Sequence, residues 1–172
     1  MKIGLLSDTH GIIDDAIFQY FKDCDEIWHA GDIGTPEVLD RLKSFKPVRA
    51  VYGNIDGHEI RQEVEEVNFF LIEGLKILMT HIGGHPPHYN ASTLTLLTEL
   101  QPDVFICGHS HILRISRDQM KNNLLYLNPG ACGNHGFHKV RTLIRFSVDS
   151  GKIKNPEVIE LYPRMISTKK IK

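Results

Sequence analysis

Short apolar runs that stop on a metal-ligating side chain recur along this chain, and that recurrence restricts its fold more than any other feature. Ile3-Gly4-Leu5-Leu6 leads into Ser7-Asp8-Thr9-His10-Gly11, the run 26–30 into Gly31-Asp32-Ile33-Gly34, and the run 48–52 into Gly53-Asn54-Ile55-Asp56-Gly57. Helical patterns separate them. Asp14 or Asp15 caps a segment with Ala16, Ile17, Tyr20 and Phe21 at helical spacing. Thr35 is placed as the N-cap of a second helix, with Pro36 at its first position and Val38, Leu39 and Leu42 as its buried face up to Phe45. A strand, helix, strand, helix, strand succession predicts parallel strands with helices packed on them, and ligands bind such sheets beyond the carboxyl ends of the strands. Asp8, His10, Asp32 and Asn54 are therefore expected on one rim. Asp8 and His10 are one residue apart, so in an extended segment both side chains project to the same side and converge on one ion.

The second half changes character. Residues 69–72 and 75–80 read as a hairpin around Glu73-Gly74, its second strand ending in His81, followed by a loop with Gly83-Gly84 and Pro86-Pro87. Asn90 or Ser92 caps a helix through Leu94, Leu97 and Leu100, stopped by Pro102. The run 104–107 then ends in Gly108-His109-Ser110-His111, where a His-x-His spacing again predicts two imidazoles on one side of an extended segment. Strands are predicted over 113–117, 124–127, 142–148 and 158–161 with no long helix between them, which favours a pair of mixed sheets over a doubly wound one.

Composition narrows the function classes. With 172 residues and 41% hydrophobic content, the chain can bury a sizeable core and reads as one domain over 1–163 with a basic tail, 164–172. No stretch approaches the ~20 apolar residues of a membrane span, and 20 basic against 21 acidic residues carry no strong nucleic-acid signature. Cys24, Cys107 and Cys132 are scattered, without a disulfide or thiolate-zinc pattern, which fits a cytoplasmic protein. Ten histidines are the unusual count, because imidazole is the commonest metal ligand.

Asp8-x-His10, Gly31-Asp32, Gly53-Asn54, His81 and Gly108-His109-x-His111 together resemble, in order, the five-block signature of the calcineurin-like metallophosphoesterases. Asn128-Pro129-Gly130 resembles a turn of the small prokaryotic YfcE-type phosphodiesterases. The resemblance implies a four-layer α/β/β/α sandwich, two mixed β-sheets flanked by helices, with two divalent transition-metal ions at one end. It assigns Asp32 as the bridge between the ions, Asp8, His10 and His111 to the first, and Asn54, His81 and His109 to the second, with Asn54 also contacting the phosphate. Nitrogen and oxygen ligands without thiolates suit manganese, nickel, cobalt, iron or zinc better than calcium or magnesium and do not choose among them; manganese is the first expectation. The implied activity is hydrolysis of small phosphodiesters by a metal-bridging hydroxide; phosphomonoester hydrolysis and a non-catalytic interaction scaffold are the alternatives. Substrate identity and homo-oligomerisation stay open.

One position departs from the family pattern. Many members carry a histidine after the Asn as proton donor, whereas this chain has Ile55, expected to pack beneath the site. His85, His88, His135 and His138 lie in loops able to supply a substitute, although each alone reads as a surface histidine. His29 is expected as a satisfied core or supporting imidazole, His58 as exposed, Cys107 and Cys132 as inert buried thiols, and Phe69-Phe70, Tyr126 and Phe146 as sheet packing.

Overall fold

The computed structural model describes residues 1–137 and 139–161, so His138 and the basic tail lie outside the described residues. The first half runs β1 (Lys2–Leu6), α1 (Asp15–Tyr20), β2 (Glu26–His29), α2 (Pro36–Phe45), β3 (Val48–Ala50) and α3 (His58–Glu63). There follow β4 (Val67–Ile72), β5 (Leu75–Thr80), the two-residue strands β6 (Gly84–His85) and β7 (His88–Tyr89), α4 (Ala91–Leu100) and β8 (Val104–Ile106). The chain then forms β9 (Leu113–Asp118), β10 (Leu124–Pro129), β11 (Arg141–Asp149) and β12 (Lys152–Leu161).

Two five-stranded sheets result, ordered β12-β11-β1-β2-β3 and β4-β5-β8-β10-β9. Each is mixed: β1, β2 and β3 are parallel with β11 antiparallel to β1, and β5, β8 and β10 are parallel with antiparallel β4 and β9 at the edges. Alternation along the strands builds the layers. Ile3, Leu5 and Trp28 of the first sheet meet Ile77, Met79, Val104 and Ile106 of the second in a shared core. On the outer face of the first sheet, Leu6 and Ile27 pack against Ile17 of α1, Val38, Leu39 and Leu42 of α2 and Ile60 of α3. Leu78, Phe105 and Tyr126 pack outward against Leu97 of α4. Both faces of the central strands are therefore covered, as their near-continuous apolar runs require.

Local signals held at several element ends. Asp14 caps α1 by accepting the Ala16 N–H at 3.0 Å, and Asn90 caps α4 by accepting the Thr93 N–H at 2.8 Å. Thr35 occupies the N-cap of α2 in extended conformation but makes no side-chain capping hydrogen bond, leaving Pro36 to set the helix entry. The final strand starts at Lys152 rather than near 158. Pro156 is tolerated because β12 is an edge strand and its register shifts opposite the stretch between Arg145 and Ser147. Phe69 departs from the packing expectation. It is 41% exposed on the outer side of edge strand β4, while Phe70 packs edge-on against Trp28 with ring centroids 5.1 Å apart.

Candidate metal centre

All the sequence-selected blocks leave the carboxyl ends of β1, β2, β3, β5 and β8, and backbone hydrogen bonds tie these exits together. The Asp8 and His10 N–H groups donate to the carbonyls of Gly31 and Asp32, each at 3.0 Å, and Gly108 N–H donates to the His81 carbonyl at 3.0 Å. Two glycines permit the close approach. A Cβ on Gly53 would stand 2.1 Å from Asp32 Oδ1, and one on Gly31 would stand 2.6 Å from the Cβ of His81.

The segments bearing the ligands are not extended, which corrects the sequence expectation. Asp8, His10, Asp32, His109 and His111 all have φ between +50° and +66°, in the left-handed region where a non-glycine residue costs about 1 kcal/mol. The backbone turns at each of these residues, so the period-two rule fails. For Asp8 and His10 the outcome is still convergence: with His111 they form one group whose ligating atoms lie within 4.8 Å of one another. For His-x-His it is divergence. His109 turns to a second group with Asp32 and His81, also within 4.8 Å.

Asp32 stands between the groups. Its Oδ2 lies 3.8 Å from His10 Nε2 and its Oδ1 lies 3.2 Å from His81 Nε2. Asp8 Oδ1 is 3.2 Å from His111 Nε2 and 4.0 Å from His81 Nε2. His10 Nε2 and His111 Nε2 approach to 3.2 Å. Asn54 sits on an exposed turn and lines a cavity of about 260 Å³ together with His81. A larger cavity, about 430 Å³, includes none of these residues.

The donor chemistry fits cations. His81 donates Nδ1–H to the Ala30 carbonyl at 2.8 Å, which leaves its Nε2 as a lone pair facing the carboxylates. Neither that Nε2 nor Asp8 Oδ1 has a hydrogen-bond partner, although both are buried. Unpaired buried lone pairs are costly, and a cation satisfies several at once. In their own field the imidazoles differ. Burial opposes a charge on His81, but the Asp32 and Asp8 carboxylates outweigh it and raise its pKa. On His10 burial prevails and lowers it. The Asp32 carboxyl is raised by burial but lowered further by His81, and ends below the ordinary carboxylate value.

Residues outside the expected ligand set hold the ligands in place. Asp56, 3% exposed, accepts the N–H groups of Gly53 at 2.7 Å, Ile33 at 3.1 Å and Gly34 at 2.7 Å, joining the Asp32 and Asn54 turns. Arg61 donates to the carbonyls of Asp56 at 2.7 Å and Gly53 at 3.2 Å. Asn128 donates to the Gly108 carbonyl at 2.8 Å and to Ser110 Oγ at 3.1 Å, securing the His109 loop. An Asp beside a Gly-Asn turn and an Asn closing a strand were the available signals, but neither names its distant partners.

Other expectations divide. His29 is fully buried, accepting the Gly31 N–H through Nδ1 at 3.2 Å and facing Thr9 Oγ1 with Nε2 at 2.9 Å. Thr9 in turn donates to the Ile33 carbonyl at 2.8 Å. Burial lowers the His29 pKa to about 4. His58 is exposed. Burial pushes the Cys107 thiol up to about 11 and the Cys132 thiol up to about 12, so both stay protonated. Ile55 does not pack beneath the site: it is 45% exposed on a turn whose N–H donates to Asp32 Oδ1 at 3.1 Å. Of the loop histidines, His135 has its ring centroid 4.8 Å from that of His10, while the His85 and His88 rings meet edge-on with centroids 5.6 Å apart.

Residues 1–151 match the family model of the calcineurin-like phosphoesterase superfamily domain. The chain belongs to this superfamily. A probable metallophosphoesterase of Methanothermobacter thermautotrophicus is 35% identical over 138 residues, spanning 76% of this chain and 77% of its own. A structurally characterised archaeal phosphodiesterase superposes with a TM-score of 0.72 at 26% identity, over 94% of this chain and 100% of its own. Vps29 of Entamoeba histolytica, complexed with zinc, shares the fold with a TM-score of 0.70 at 19% identity, over 93% and 99% of the two chains. Among the described residues no helix is long and apolar enough to cross a membrane.

Proposed function

We propose that this member of the superfamily is a dinuclear-metal phosphodiesterase acting on small phosphodiesters. One observation carries the reading: the two oxygens of Asp32 face different imidazole groups, Oδ2 toward His10 and Oδ1 toward His81. Asp8, His10 and His111 would hold one ion, His81 and His109 with the Asn54 amide the other, and Asp32 both. Such ions, manganese foremost, supply a nucleophile at neutral pH and positive charge against the phosphate oxygens when bound.

The chain's own residues do the rest. His81 is oriented by its bond to Ala30, so its Nε2 lone pair is aimed without an ordering cost at the moment of binding. Asp56 and Arg61 hold the turn bearing Asn54, whose amide orients the phosphate. Ile55 has no proton to give, so the departing oxygen leaves unassisted from that position. The similarity to the archaeal phosphodiesterase supports diesters over monoesters, and the buried free thiols accord with a reducing cytoplasm.

Metal-free protein supplied in turn with manganese, nickel, cobalt, iron and zinc, and assayed on bis(p-nitrophenyl) phosphate and p-nitrophenyl phosphate, tests this. We expect metal-dependent turnover with preference for the diester. A monoester preference would reassign the substrate class, and inactivity with every metal would favour a non-catalytic interaction scaffold.

A further inference from the structure

Two cavities open beside the Asp32, His81 and His109 group. The larger, about 260 Å³, is lined by Asn54 and His81 together with Val67, Thr80, Ile82 and Leu96. The smaller, about 180 Å³, is lined by Gly108 and His109 together with His85, Arg114 and Tyr126. Their shared border is the pair of rings His81 and His109, whose centroids are 5.3 Å apart, and the loop after His81, which contributes Ile82 to one cavity and Gly83 and Gly84 to the other. A phosphodiester carries two substituents on one phosphorus, and here two recesses adjoin one ligand group.

We propose that the larger cavity binds one ester substituent of the phosphodiester and selects an aromatic ring, an inference that rests on the phosphodiesterase reading. Its side walls are the aliphatic groups of Val67, Ile82 and Leu96. The charged residues at its edge are already engaged: Arg61 lies over the Tyr52 ring at 4.4 Å and binds two backbone carbonyls, and Glu66 accepts the Tyr52 hydroxyl at 2.9 Å. Thr80 contributes to the same wall. The volume exceeds the roughly 150 Å³ apolar cavity that accepts benzene, and falls short of the roughly 300 Å³ at which drug-sized pockets begin. One flat ring fits within it, and a methyl ester leaves most of it to water. Arg114, which donates to the Pro86 carbonyl at 2.9 Å, lines the smaller cavity, so the second substituent meets a narrower recess.

The test uses manganese-loaded protein and two phosphinates that carry only carbon substituents and so are not hydrolysed, dimethylphosphinate and methylphenylphosphinate, titrated calorimetrically. The phenyl compound is expected to bind about tenfold tighter or more, from burial of the ring. Leu96→Trp, on a half-buried helix position, and Val67→Phe, on the edge strand, each place a larger side chain in the cavity wall and leave the proposed ligand residues unchanged. Both should abolish the phenyl preference and leave dimethylphosphinate affinity unchanged. Equal affinities in the wild type, or a preference that survives both substitutions, would overturn the ring pocket while bis(p-nitrophenyl) phosphate turnover leaves the phosphodiesterase reading standing. Absence of any phosphinate binding together with absence of turnover would overturn both.

Discussion

Asp56 Oδ1 accepts the backbone N–H of Gly34 at 2.7 Å, across 22 residues of chain. With its other oxygen on the N–H groups of Gly53 and Ile33, this buried carboxylate makes the Asp32 turn and the Asn54 turn one rigid unit. Asp56→Asn keeps the shape but offers an N–H to a backbone N–H, leaving at least one buried donor unmet. We expect a loss of about 3 kcal/mol, read as a lower urea midpoint at constant slope, and weaker metal retention after dialysis.

Asp32→Asn removes the negative charge that both imidazole groups face. Metal analysis should show the protein falling from two ions per chain to one or fewer, with turnover reduced more than about a hundredfold. Retention of both ions and full turnover would refute the bridging role.

Stability should depend on acid through His29. Its folded pKa is lowered to about 4, below the ordinary histidine value of 6.5, because burial penalises the charged ring. Above pH 6.5 both folded and unfolded forms are neutral there, so this group's contribution is complete. As pH falls from 6.5 towards 4 the unfolded chain takes up a proton that the folded one refuses, and about 3 kcal/mol is lost. Urea midpoints of metal-free wild type and His29→Gln between pH 7 and 4 should show the gap between them shrinking by that amount.

With Ile55 exposed at the rim and unable to protonate a leaving oxygen, turnover should fall steeply as the leaving group becomes less acidic. A series of aryl and alkyl diesters would give a strongly negative slope of log kcat/KM against leaving-group pKa. Ile55→His should flatten that slope, chiefly by accelerating the poorer leaving groups. A flat wild-type series would point to another donor, and His135, its ring centroid 4.8 Å from that of His10, would be the first residue to replace.

What the sequence determined by itself was local: which runs form strands, that Asp14 and Asn90 begin helices, and that each of five strands ends on a residue able to bind a metal. These properties follow from apolar periodicity, capping chemistry and Gly-rich turns, which act over a few residues. It also carried the order of the blocks, from which the family and its paired mixed sheets could be read. Tertiary structure alone decided how the side chains meet. The left-handed conformations of Asp8, His10, Asp32, His109 and His111 replaced the extended geometry that alternation implied, and sent the two imidazoles of His109 and His111 to different groups. Such conformations are unfavourable locally and persist only because hydrogen bonds from distant loops hold them. The bond from Asp56 to Gly34, the approach of His135 to His10 and the exposure of Ile55 have the same origin, since each depends on a partner that only the folded sheets bring near.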